Sequence, residues 1–254
     1  MAYPTPYPEV NAVLDILLAR VKRILGDDFV GMYLGGSLAL NDFIPGRSDI
    51  DFVVVTADVL SDETFVALKA THAQMNTEGV PMAKELEGAY VPVNDLRLHN
   101  PPIASYPHID TGEALVIEKY EDWWVIERHV LREHGVVVAG PDPMTLVAPI
   151  LPDELKQAAI RLFHYHWAAM LRETTKLHHP GYQVYAILTM CRILYSLNHG
   201  TIVSKSEAAV WARQTLPEHT HGLIERALEW RNGQPFDYLN ETLGLIRYVQ
   251  EHQQ

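Results

Sequence analysis

Two apolar segments that each meet a polar motif constrain this chain most. Gly31-Met32-Tyr33-Leu34 runs into Gly35-Gly36-Ser37, and after a spacer Asp49-Ile50-Asp51 opens Phe52-Val53-Val54-Val55. Both apolar runs are short, the first running into a glycine turn and the second opening with two carboxylates, which predicts two strands of one sheet. Alternation along a strand sends Asp49 and Asp51 to the same face. Two carboxylates on one face can share divalent cations. Glycines without β-carbons let backbone amides and the Ser37 hydroxyl approach a polyphosphate.

Around this pair the periodicities alternate. Val10, Val13, Leu14, Leu17, Leu18, Val21, Ile24 and Leu25 recur at helical spacing, which predicts an amphipathic helix over 8–26 that ends near Gly26 and packs on the sheet. A second helix is expected over 62–77, with Phe65, Leu68 and Met75 inward. A third strand is expected over 84–93, with Glu85, Glu87, Ala89 and Val91 on one face, Leu86, Gly88 and Tyr90 on the other, and Pro92 at its frayed end. Residues 96–111, rich in proline, histidine and asparagine, read as an irregular loop crossing the mouth of a site. Helical composition returns over 120–134, and Gly135-Val136-Val137-Val138-Ala139-Gly140-Pro141 reads as a short final strand ending at a turn. Past a boundary near 149–153 the character becomes helical, with helices expected over 153–175, 182–199, 204–214, 218–231 and 236–252. Gly200 suits a C-cap, and Ser204 with Glu207 a capping box. The expected class is therefore α+β: a mixed-sheet domain over 1–150 followed by an all-α bundle over 151–254.

Composition narrows the partners. A formal charge of -12 argues against a nucleic-acid backbone and suits small cationic compounds. A single cysteine, Cys191, offers no internal disulfide and fits a reducing compartment. The start of the chain lacks a signal-peptide pattern and no stretch reaches the roughly 18 apolar residues of a membrane span. A cytoplasmic protein with no membrane partner is expected.

The motif points to nucleotidyl transfer, in which a hydroxyl attacks the α-phosphate of a nucleotide and pyrophosphate leaves. Such a site neutralises charge on both sides of phosphorus, and paired magnesium ions do so. Asp49 and Asp51 are the candidate metal ligands. The Gly35 and Gly36 amides and the Ser37 hydroxyl are candidate phosphate contacts, and Ser48 is a possible helper. Glu87 is the candidate base for the attacking hydroxyl or a further metal ligand, and Glu85, expected on the same face, is its rival. Either half of the motif alone is a common turn or a solvated strand end; together, flanked by strands, they make a site.

Other features carry two readings. Asp110, Glu113, Glu118, Glu121, Asp122 and Glu127 surround Trp123-Trp124, which suits an ammonium or guanidinium group and equally describes a solvated helix with two core tryptophans. His164 and His166 splay about a helix and His178-His179 lacks a third partner, so structural histidines are expected rather than a metal site. Tyr182, Tyr185 and Tyr195 fall mostly at helical core spacing.

The Gly-Ser and Asp-x-Asp pattern resembles the nucleotidyltransferase superfamily typified by polymerase β. Tyr185-Ala186-Ile187-Leu188-Thr189-Met190-Cys191-Arg192-Ile193-Leu194-Tyr195-Ser196, followed by 200–209 and Trp211-Ala212, resembles the streptomycin/spectinomycin adenylyltransferases, and the likeness runs through both halves of the chain in order. The resemblance implies a nucleotidyltransferase domain and a helical bundle, magnesium as the metal, ATP as co-substrate, and transfer of AMP to an aminoglycoside or aminocyclitol antibiotic. It further implies that Glu87 is the base and that Arg192 and Lys205 reach the ATP phosphates. The turn His179-Pro180-Gly181-Tyr182-Gln183 lacks the acidic residue of streptomycin-modifying members, so the donor half of the site transfers better than the acceptor half. Alternatives are the same chemistry on another small hydroxyl compound or a protein, or a nucleotide-binding or toxin-neutralising module without turnover.

Overall fold

In the computed structural model, which describes residues 3–97, 105–120 and 123–253, the chain divides into two compact units, the first ending at Pro149 and the second beginning at Ile150. Among the described residues no helix is long and apolar enough to cross a membrane.

The first unit is built on one six-stranded mixed sheet. Its strands are β1 (Phe29–Leu34), β2 (Ile50–Thr56), β3 (Leu86–Pro92), β4 (Ser105–Ile109), β5 (Val116–Lys119) and β6 (Val136–Ala139), in the order β5-β4-β3-β2-β1-β6. Only β2 and β3 run parallel; the other neighbours are antiparallel. A parallel pair needs a crossover connection, and α3 (Asp62–Thr77) provides the helix in it. The Ser61 hydroxyl accepts the Thr64 N–H at its start.

The two sheet faces are covered by different helices. Ile50, Phe52, Val54, Leu86 and Tyr90 join α1 (Pro8–Leu25) and α3 in one apolar cluster, with Leu14, Leu17 and Leu68 fully buried. α1 ends one residue before Gly26, whose φ of +54° is glycine-favoured. On the opposite face Val53, Val55, Ala89 and Val91 meet Leu96 of α4 (Val93–Arg97) and Trp124 and Leu131 of α5 (Trp123–His134). Asp51 and Glu87 belong to this second face by strand alternation.

The second unit is all-α. α7 (Pro180–His199) is its axis, packed against α6 (Pro152–Leu162), α8 (Lys205–Thr215), α9 (His221–Glu229) and α10 (Leu239–Glu251). Trp167 and Phe163 are buried in its core beside Ile187 and Met190. Cys191 lies in the same core with its thiol fully buried. Gly200 caps α7 at φ +63°, and the Ser204 hydroxyl accepts the Glu207 N–H at the start of α8.

Several sequence expectations are corrected. The helix expected over 153–175 stops at Leu162. A π-helical turn follows over Phe163–Trp167, then a 3₁₀ turn over Ala168–Leu171, so that Phe163 and Trp167 both stay buried while Tyr165 remains 72 % exposed. The third strand begins at Leu86, and Glu85 falls in a preceding 3₁₀ turn. The loop expected over 96–111 begins in the last two residues of α4 and contains β4, with 98–104 outside the described residues. β4 was disguised by Pro107, which lacks a ladder donor; β3 pairs only with His108 and Ile109, and Pro107 pairs only with Ile117 of the edge strand β5.

Candidate active site

The phosphate-turn half of the motif is a tight junction between β1 and β2. The Gly35 N–H donates to the Asp51 carbonyl at 3.0 Å, so this amide is committed to the backbone and does not serve a phosphate as expected. Gly36 opens α2 (Gly36–Ala39) at φ +47°, and a β-carbon there would collide with Asp51 Oδ2. The Gly36 and Ser37 N–H groups occupy the first positions of this turn, where no earlier intrahelical carbonyl reaches them. The Ser37 Oγ is buried and makes no hydrogen bond among the described residues. Ser48 acts locally: its Oγ accepts the Ile44 N–H at 3.0 Å and closes the turn that delivers Asp49 to the head of β2. Asp49 itself precedes the strand.

The carboxylate half is set by strand register. β2 and β3 place Asp51 directly opposite Glu87 in the parallel pair. The rival Glu85 lies outside that register. β3 and β4 pair Gly88 with Ile109, and continuing that antiparallel register brings Asp110 beside Glu87. Burial, reinforced by the charges of Asp51, Asp110 and Asp49, pushes the Glu87 carboxyl up to about 7; a hydrogen bond from Thr111 pulls weakly the other way. The Thr111 Oγ1 donates to Glu87 Oε2 at 3.1 Å. From α5, Glu127 reaches the same corner: a β-carbon built on Gly35 would lie 3.8 Å from Glu127 Oε2 and 3.9 Å from Asp51 Cβ. The Tyr120 hydroxyl, held by His108 Nδ1 at 2.7 Å, has its pKa driven upward by burial, reinforced by the charges of Glu118, Glu127 and Glu87.

Carboxylates gathered in this way make the corner attractive to cations. Among the described residues, however, no three His, Cys, Asp or Glu side chains converge as a cage for a metal ion, so Asp49, Asp51 and Glu87 are not a preformed three-ligand site. Magnesium does not need one, because it keeps water and takes phosphate oxygens beside one or two carboxylates. The residues fit a nucleotide-bound magnesium: an orphaned Ser37 hydroxyl, a glycine whose Cβ would fill the space beside Asp51, and aligned acids.

Arg192 and Lys205 belong to the second compact unit. Arg192 is half-buried on α7, and Lys205, first residue of α8, holds its ammonium 4.5 Å from the Tyr185 ring centroid. Trp124 is buried, and with Trp123, Tyr106 and Tyr120 it forms an aromatic cluster at the sheet, the core reading of that pair. Glu113 and Glu118 are exposed, and Glu121 and Asp122 lie outside the described residues. His166 Nε2 pairs with the Tyr182 hydroxyl at 2.8 Å, a structural histidine. The positions of Asp110 and Thr111 at Glu87 escaped sequence reasoning, because only the β3–β4 register reveals them.

Two family models match. Residues 14–96 match the nucleotidyltransferase domain, and residues 162–253 match the aminoglycoside adenylyltransferase C-terminal domain. Among curated proteins, an aminoglycoside (3'') (9) adenylyltransferase of Rhizobium radiobacter is 32% identical over 91% of this chain and 86% of its own length. A spectinomycin 9-adenylyltransferase of Campylobacter jejuni is 23% identical over 96% of this chain and 93% of its own. Among solved structures, spectinomycin adenyltransferase of Enterococcus faecialis, solved with ATP and spectinomycin, superposes with a TM-score of 0.73 at 16% identity, covering 94% of this chain and 97% of that one; it is evidence of a shared fold.

Proposed function

The chain belongs to the aminoglycoside adenylyltransferases, and from that premise we propose that it transfers AMP from ATP to a hydroxyl of an aminoglycoside or aminocyclitol and releases pyrophosphate. The first unit is then the nucleotidyltransferase domain and the second the helical domain. Asp49 and Asp51 would hold magnesium, two ions by our reading with Glu87 available as a further ligand, and the metal would neutralise charge around the α-phosphate and the leaving pyrophosphate.

Gly36 and Ser37 offer amides and a hydroxyl to the phosphates, with Ser48 shaping the turn that presents Asp49. Arg192 and Lys205 are assigned to the phosphates by resemblance to the family. Glu87 accepts the acceptor's hydroxyl proton as its oxygen forms a bond to the α-phosphorus; the bond from that phosphorus to the bridging oxygen breaks, and its electron pair leaves on pyrophosphate. Asp110 and Glu127 add negative charge at this corner, which suits the ammonium groups of the acceptor. ATP is a cytoplasmic metabolite, and we place the reaction there.

One observation carries the reading. Glu87 stands opposite Asp51 with its carboxyl held near 7 by burial and by Asp51, Asp110 and Asp49, where a base is half-available at neutral pH and strong enough to take a proton. The test is to incubate the protein with ATP, magnesium and a panel including streptomycin and spectinomycin, and to look by mass spectrometry for an AMP adduct. Adduct on one of them is the expected result. AMP on a different small hydroxyl compound or on a protein would reassign the acceptor, and ATP binding without turnover would make the protein a nucleotide-binding module.

A further inference from the structure

Thr111 sits on the loop that follows β4, far from Glu87 in sequence, and its position is tightly specified. The Glu113 N–H donates to the Asp110 carbonyl at 3.0 Å, and Gly112 lies at φ +74°, the hydrogen bond and positive third-residue φ of a type II turn. Asp110 Oδ1 accepts the Thr111 N–H at 2.8 Å, which fixes Thr111 within that turn. The β3–β4 pairing then carries the turn to the head of β3, where Thr111 Oγ1 reaches Glu87 Oε2. Among the described residues Glu87 Oε1 accepts no hydrogen bond.

A carboxylate on two methylenes has free rotation about its last bond unless something holds one oxygen. Here one oxygen is held and the other is left for chemistry. We propose that Thr111 is a positioning residue for the transfer reaction: by donating its hydroxyl to Oε2 it turns Oε1 of Glu87 toward the acceptor hydroxyl. Thr111 touches neither phosphate nor metal in this role, and it acts through Glu87 alone. The inference rests on the reading of Glu87 as the base.

Three variants test it: T111V, which keeps shape and removes the donor; T111S, which restores the donor; and E87Q/T111V. Loss of one hydrogen bond to a charged group predicts a roughly 10-fold fall in kcat for T111V with KM for ATP and acceptor little changed. T111S is expected to recover most of that loss, and T111V to add nothing on the E87Q background. Wild-type kcat in T111V, an equal deficit in T111S, or an undiminished T111V effect on the E87Q background would each overturn the proposal. A second readout is independent of turnover: the side-chain carboxyl ¹³C resonance of Glu87, assigned by its loss in E87Q, should move in T111V and return in T111S. If the wild type modifies no acceptor, the proposed function fails while this resonance still decides the contact, and an unmoved signal removes Thr111.

Discussion

At Glu87, burial and three neighbouring carboxylates act in one direction, and the carboxyl is pushed up to about 7, the range that the proposed role of proton acceptor needs. Replacing it by glutamine preserves size and removes the base. E87Q should keep ATP binding and lose roughly 10² to 10⁴-fold in kcat, as measured by pyrophosphate release; retained full activity would take Glu87 out of the mechanism. Gly36 is constrained differently. Its φ of +47° and the collision of any β-carbon with the Asp51 carboxylate leave no room for a side chain. G36A should weaken magnesium-dependent ATP binding by at least roughly 10-fold, because the strain must displace either the phosphate turn or Asp51; calorimetry showing wild-type affinity would exclude the turn from the nucleotide site. Both residues were visible in the sequence, since a Gly-Ser turn and an alternating strand are local patterns. Thr111 was not, because a hydroxyl on an ordinary turn becomes informative only when strand pairing supplies its partner.

Elements were legible where one local force decided them. The 62–77 helix was bounded correctly because Ser61 caps it and its buried residues Leu68, Thr71, His72 and Met75 recur at helical spacing. β4 and the break after α6 were hidden because non-local packing decided them: β4 tolerates Pro107 only because its β3 ladder is two residues long, and the π turn answers to the burial of Phe163 and Trp167. The joint between α3 and the sheet carries a pH signature. His72 of α3 is buried against Phe52 of β2, with its Nε2 bonded to the Tyr90 hydroxyl of β3 at 2.8 Å, and burial pulls its pKa down to about 4 from the usual 6.5. The unfolded chain therefore binds the proton more readily than the folded one between these values. The stability held by the neutral ring is complete above pH 6.5 and is lost as pH falls toward 4, a loss of up to about 3 kcal/mol. H72Q should show a flatter decline of urea midpoint across that window than the wild type; parallel declines would show that His72 is not a source of the acid sensitivity.

For the whole molecule the dominant quantity is charge. On the proposed function, a net -12 with acids gathered at Asp49, Asp51, Glu87, Asp110 and Glu127 would favour capture of a cationic acceptor over long range. Salt shortens that reach, since the screening length falls to about 8 Å at physiological ionic strength. The KM for a polycationic acceptor should rise several-fold, on the order of the screening of two or three charges, between low and high potassium chloride, without a parallel rise in the KM for ATP. Equal shifts for both substrates would point to a general effect on the fold. The two-part character of the chain was readable from the change in periodicity near residue 150, since alternating strands and continuous helices leave different apolar spacings.

Cys191 gives the molecule a practical property. It is the one cysteine of the chain, enclosed in the α7 core, and burial lifts its thiol to about 12, so it is neither accessible nor ionised at neutral pH. Thiol reagents should pass over the native protein. Two cysteines introduced on the surface, one on each compact unit, would then be the only reactive ones, and a donor and acceptor dye attached to them would report the distance between the units without first having to remove a native thiol.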